Sequence, residues 1–173
     1  MKRVIVDIVF VLVCFVLQCT VFQSWAMADI SPNLLIVVVS SVGFMRGKTE
    51  GMLMGFFSGL LIDICYGDML GFYALIYMYI GYVNGFFQSI FYEEDLKLPM
   101  ILITVSDFVY GLIIYVFLFL LRNRTDIFYY LLHVIIPELV YTVVVTIVLY
   151  RLILLVYRKL DTSEKRSAGR NAD

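Results

Sequence analysis

The stretch Glu50–Gly85 reads EGMLMGFFSGLLIDICYGDMLGFYALIYMYIGYVNG, and its pattern decides the fold. It holds one apolar run from Gly51 to Tyr66 and another that starts at Leu70 and continues to about Tyr92. In the first run Gly51, Gly55 and Gly59 recur every fourth residue, and Asp63 and Gly67 continue the series. Residues four apart share one face of a helix, so the spacing predicts a helix with a smooth glycine groove ending in a carboxylate. Gly81 and Gly85 repeat the pattern more briefly on the following helix. Small residues at this spacing let helix backbones approach closely in lipid, where no hydrophobic effect drives association. The glycine face therefore either packs inside a bundle or docks another protein.

Four further apolar runs flank this pair: Val4 to Phe22, Leu34 to Met45, Leu98 to Leu121, and Ile127 to Tyr150 or beyond. A spanning helix needs about 20 apolar residues to cross a hydrocarbon core about 30 Å thick. The sequence thus predicts an all-α integral membrane protein, a bundle of six transmembrane helices over residues 1–160. A disordered cytoplasmic tail is expected over 161–173, where the residues turn polar and charged. The runs at Leu34 and Gly51 are short, and a hairpin that dips into the membrane without spanning is the alternative for them. Ser31 is expected as N-cap of the second helix, with Pro32 at its first position and Asn33 beside it. The first run follows Lys2-Arg3 and precedes Ala26-Met27-Ala28, as in a signal peptide. It is longer than the usual signal core of about 7–15 residues, so a retained helix is expected.

Composition agrees with a membrane solvent. Of the 173 residues 62% are hydrophobic and 16% charged, against about 45–50% and about 25% in ordinary globular chains. The net charge of −1 offers no basic surface for nucleic acid. Lysine and arginine orient the bundle through the positive-inside rule. With the N-terminus inside, the inner segments hold Lys2, Arg3, Arg46, Lys48, Lys97, Arg151, Arg158, Lys159, Lys165, Arg166 and Arg170, and the outer loops hold Arg122 and Arg124. Eleven against two places both termini in the cytoplasm.

Few residues carry chemistry. Asp63, Asp107, His133 and Glu138 are ionisable groups at membrane depth, where such groups are costly and face the protein interior. Asp63 is expected to cap the start of helix 2 or helix 4, with Asn33 a neutral partner on the same side. Pro137 should kink the last helix between His133 and Glu138. This set resembles a sparse proton path, but hydrogen-bonding contacts inside the bundle are the simpler reading. Arg46-Gly47-Lys48 forms an inner turn whose basic pair is expected to meet lipid phosphates. Glu93-Glu94-Asp95 forms an acidic inner loop. Cys14, Cys19 and Cys65 lie in apolar runs without a CxxC pair, which argues against a zinc site. No nucleophile elbow, Walker loop or dinucleotide fingerprint occurs, so no catalytic residue and no cofactor is expected.

The motifs go further than the composition. Leu17-Gln18, Pro32-Asn33-Leu34-Leu35, Gly43-Phe44-Met45-Arg46-Gly47 and Glu50-Gly51 stand in one order with Gly55-Phe56-Phe57-Ser58-Gly59-Leu60-Leu61-Ile62-Asp63, Leu70-Gly71-Phe72-Tyr73-Ala74-Leu75, Gly81-Tyr82 and Asn84-Gly85. In order and spacing this set resembles the MreD family of rod shape-determining proteins. The resemblance implies a non-enzymatic scaffold of the bacterial elongation complex in the cytoplasmic membrane. It implies MreC as direct partner, with MreB, RodA and a penicillin-binding transpeptidase in the same assembly, surrounded by membrane lipid. It further implies a fold like the substrate-binding S component of energy-coupling-factor transporters, and hence a vitamin-type transport component as the alternative function.

Overall fold

Asn33 opens the helix at the centre of the bundle, and the other described helices are arranged around it. The computed structural model describes residues 2–22, 32–67, 69–90, 96–117 and 130–170, with the side chains of 5–20, 32–67, 69–90, 96–117 and 130–159. Among the described residues there are six α-helices and no strand. α1 (Lys2–Leu17) runs into a π turn (Gln18–Phe22). α2 is Leu34–Arg46, α3 is Lys48–Tyr66, and α4 is Phe72–Asn84 with a 3-10 extension over Gly85–Ile90. α5 is Lys97–Tyr115, and α6 is Ile136–Arg170, preceded by a π turn over Leu131–Ile135.

The cap at α2 is made by the Asn33 side chain, which accepts from the Ile36 N–H at 3.3 Å. Pro32 consequently lies before the helix and not at its first position, and Ser31 lies outside the described residues. α2 has 13 residues, a rise of about 20 Å, well short of a hydrocarbon core about 30 Å thick. Its surroundings explain why that is tolerated. Every residue from Leu34 to Phe44 is buried, and α1, α3, α4, α5 and α6 all touch it. A helix wrapped in protein need not match the bilayer, because neighbours satisfy its ends. At its far end Gly47, with φ of 99°, is the one residue between α2 and α3. That left-handed conformation is strained for residues with a Cβ, and it allows the tight reversal.

α5 and the stretch Leu131–Lys159 are long and apolar enough to cross a membrane. Ile5–Thr20 and Leu34–Arg46 are shorter apolar helices. α4 with its 3-10 extension covers Phe72 to Ile90; the expected end at Tyr92 lies outside the described residues, as do Leu121, Ile127, Arg122, Arg124, the acidic loop and Ala26-Met27-Ala28. α6 is helical to Arg170, into the stretch for which the sequence predicts a tail. Glu, Lys, Arg and Ala in that segment are strong helix formers, and a preceding helix removes the cost of nucleation.

Polarity runs from inside to outside in the opposite sense to a water-soluble domain. Ser40, Ser41, Ser58, Asp63, Asn84, Ser106, Asp107, Thr142 and Thr146 are all buried. Val140, Val144, Val148, Leu152 and Leu155 form an exposed apolar stripe along α6, and Ile5, Ile8, Leu12 and Val16 do the same on α1. In water such continuous apolar surface would drive association. In lipid it is simply solvated, and the polar groups turn inward to find partners.

Candidate functional site: the glycine seam and the polar centre

The five glycines singled out in the sequence lie in one seam inside the chain. α3 and α4 run antiparallel with backbones nearly touching. A Cβ on Gly51 would stand 2.5 Å from the Gly81 carbonyl oxygen, and one on Gly55 would stand 2.6 Å from the Tyr77 carbonyl carbon. A Cβ on Gly59 would be 2.5 Å from Ala74 Cα. The reverse side is equally tight: on Gly81 it would meet the Gly51 carbonyl carbon at 2.5 Å, and on Gly85 the Gly47 carbonyl carbon at 2.7 Å. Because α4 itself fills this groove, the face is not open to another protein.

Asp63 ends the seam. It is 2% exposed, and its carboxylate is turned onto the start of α4. Oδ2 accepts from Gly71 N at 3.1 Å and Ala74 N at 2.9 Å, and Oδ1 accepts from Tyr73 N at 2.9 Å. Gly71, the N-cap residue of α4, has no side chain to offer. Asp63 therefore caps from the preceding helix, satisfying N–H groups that a helix start leaves free and placing negative charge at the positive end of the dipole.

Asn33 does not meet Asp63. Its Oδ1 accepts from Tyr77 OH at 2.8 Å as well as from Ile36, and its backbone N–H donates to Thr142 Oγ1 at 3.2 Å. Thr142 in turn donates to the Glu138 carbonyl oxygen at 2.9 Å. One asparagine thus joins α2, α4 and α6 at the centre of the fold. Asp107 on α5 is buried near this group, within reach of the Thr142 side chain. Glu138 on α6 is half-buried and within electrostatic reach of Asp107. His133 is corrected: it is exposed in the π turn before α6, so the buried set contains no histidine. A π turn over Leu131–Ile135 lies just before Pro137, the residue at which the sequence predicts a kink. Pro137 is then the second residue of α6, just past Ile136, whose N–H donates to the Leu131 carbonyl across the π turn.

Arg46 is also corrected. It faces the protein and not lipid phosphate. Its guanidinium pairs with Asp7 and Glu50 and lies 5.4 Å over the Tyr157 ring, whose hydroxyl donates to Asp7. This cluster ties α1, α2, α3 and α6 at one end of the bundle. Lys48 sits with Nζ 3.8 Å over the Phe86 ring. The sequence reading missed Asp7, although a single carboxylate inside the apolar run after Val4 was its signal. It also passed over Asn84, whose amide nitrogen donates to Ile80 O and Ser106 Oγ, both at 2.8 Å, with Ser40 Oγ at 3.4 Å.

Grooves open on the apolar outer surface among the described residues. One of about 560 Å³ lies between α1 and α3, and one of about 410 Å³ between α4 and α5.

These features define an all-helical membrane protein whose buried polar side chains mostly join its own helices. The model of one family, rod shape-determining protein MreD, matches residues 1–160. The chain belongs to that family, a family of shape-determining structural membrane proteins. No curated protein and no solved structure matches the chain.

Proposed function

We propose that the chain is a non-enzymatic scaffold of the bacterial elongation complex, which holds MreC in the membrane and so directs peptidoglycan synthesis along a rod-shaped cell. Family membership supplies the role in rod shape. The observation that carries the scaffold reading is the inward closure of polar chemistry. Asp63 is taken by the start of α4, Asn33 by Ile36, Tyr77 and Thr142, and Arg46 by Asp7, Glu50 and Tyr157. Along α1 and α6 the outer face carries continuous apolar stripes, the material that packs against other membrane helices. MreB, RodA and a penicillin-binding transpeptidase join the assembly through or beside MreC. The alternative, a vitamin-binding S component, calls for a polar ligand pocket, whereas both grooves are walled mainly by apolar side chains.

In cells lacking their own MreD, expression of this chain is expected to restore rod shape, and MreC is expected to copurify with it in mild detergent. Restored shape with no MreC bound would overturn the partnership. A round cell despite normal membrane abundance and bound MreC would overturn the role in shape.

The same proposal sets six spans with both ends in the cytoplasm, on the eleven-to-two division of basic residues. With Cys14, Cys19 and Cys65 replaced, a cysteine at Lys165 is expected to resist membrane-impermeant maleimide in intact cells and to react after lysis. Labelling from outside would reverse the tail.

A further inference from the structure

One face of α6 and the α1–α3 groove are complements of each other. Along α6, Val140, Val144, Val148 and Leu155 are exposed and share a face. Arg151 and Lys159 lie on that same face and are exposed too. Neither has an ion-pair partner among the described residues. An arginine amid lipid-facing side chains is costly without a partner. The groove has the opposite character. Leu53, Phe57 and Ile64 of α3 and Leu12 of α1 make it apolar, and Asp7 and Glu50 close one end. Those two carboxylates share the one guanidinium of Arg46, which leaves a negative charge in that cluster. The Glu50 side chain, 47% exposed, carries it to the surface.

The bilayer sets the register between the two surfaces. Copies inserted in the same orientation lie at the same depth, so heights measured within one chain hold between two. The cluster of Asp7, Arg46, Glu50 and Tyr157 marks one level, common to the groove and to α6. At about 1.5 Å per residue, Phe57 lies about 10 Å from that level along α3, and Arg151 lies about 9 Å from it along α6, on the same side. Ile64 and Val144 lie about 21 Å and about 20 Å from it. Lys159 is about 3 Å past the level, and its Cα–Cβ bond tilts back toward the start of α6, to the height of Glu50. Glu50 tilts the other way, because α3 runs opposite to α6. A parallel copy therefore sets cation against anion at the end. It also sets the Arg151 guanidinium beside the exposed Phe57 ring, a favourable pairing. Anionic headgroups, in contrast, are repelled by the acidic end.

We propose that the α6 face of one copy seats in the α1–α3 groove of a second copy, with Lys159 on Glu50 and Arg151 on Phe57. Because the two surfaces differ, the contact is head-to-tail and builds a row or ring of chains in the plane of the membrane. It adds to the scaffold reading and does not depend on it. The test coexpresses two differently tagged full-length copies in cells lacking the native protein, with Cys14, Cys19 and Cys65 replaced. One copy carries Leu53→Cys and the other Leu155→Cys, and mild oxidation links them where they meet. This pair is expected to crosslink about 10-fold more than Leu53→Cys with Val144→Cys, whose heights differ by about 15 Å. Lys159→Glu beside Leu155→Cys should lower the crosslink about fivefold. Membrane abundance should hold, because Lys159 is exposed and makes no ion pair within its own chain among the described residues. With Glu50→Gln in the other copy, the same Lys159→Glu change should shift the crosslink by less than about twofold, because the repelling carboxylate is gone. Equal crosslinking of the two cysteine pairs, indifference to Lys159→Glu, or an undiminished effect of it beside Glu50→Gln overturns the inference. So does absence of a crosslink at normal abundance of both copies, the result expected if lipid or another protein's helix fills the groove. Rod shape restored in that case leaves the scaffold reading standing.

Discussion

Gly55→Leu is expected to remove the protein from the membrane. A leucine Cβ there would stand 2.6 Å from the Tyr77 carbonyl carbon, and that neighbour is helix backbone, which cannot rotate aside as a side chain does. Overpacking ordinarily costs about 1–3 kcal/mol, and backbone against backbone belongs at or above the top of that range. Folded stability is itself only about 5–15 kcal/mol. α4 would have to leave α3, and with it would go the Asp63 cap and the Tyr77 bond to Asn33. Gly59→Leu should act alike, since a Cβ there meets Ala74 Cα at 2.5 Å. Phe56→Leu is the matched control, because Phe56 is exposed, and exposed substitutions usually fall within about 0.5 kcal/mol. The measurement is membrane abundance and rod shape in cells lacking the native protein. Normal abundance of both glycine variants would show that the seam does not need its glycines.

Asp63→Leu is expected to be nearly as severe, and Asp63→Asn to be intermediate. Leucine leaves the N–H groups of Gly71, Tyr73 and Ala74 without an acceptor in a buried place. Each orphaned group costs about 1–3 kcal/mol, and because the three share one carboxylate the costs do not simply add. Asparagine keeps one oxygen. Placed where Oδ2 now lies, it retains the bonds from Gly71 and Ala74 and turns its amide toward the Tyr73 N–H. The expected order in membrane abundance is Asp, then Asn, then Leu, with rod shape following abundance. A proton carrier would behave otherwise, since asparagine would fold and accumulate yet be as inactive as leucine. An abundant, wholly inactive Asp63→Asn would therefore replace the capping role with an ion-coupled one.

Local features were legible in the sequence because they depend on backbone geometry alone. The fourfold spacing of Gly51, Gly55, Gly59 and Asp63 puts them on one face of any α-helix, whatever surrounds it. The choice of α4 over α2 for the Asp63 cap was left open, since either helix starts on the same side. Asn33 was noticed as a helix start, but its reach to Tyr77 and Thr142 spans 44 and 109 residues of chain, and no local pattern encodes that. Arg46 resembled a lipid anchor because basic residues at inner turns usually are. Its partners Asp7 and Tyr157 come from helices at opposite ends of the chain. His133 was grouped with the buried acids by nearness in sequence to Glu138, yet it lies in the widened turn before Pro137 and is exposed.

By itself, then, the sequence determined an all-helical membrane protein, the approximate course of its helices, the glycine face and the family. Tertiary structure alone decided that α2 is the central post, that α4 fills the glycine groove, and which polar groups meet. The reason is that hydropathy cannot separate a residue buried in protein from one facing lipid, since both surroundings are apolar. Leu35 on α2 and Leu12 on α1 have the same side chain, yet the first is 0% exposed and the second 45%. Only the pairing of buried donors with acceptors, which must close in three dimensions, distinguishes the two environments.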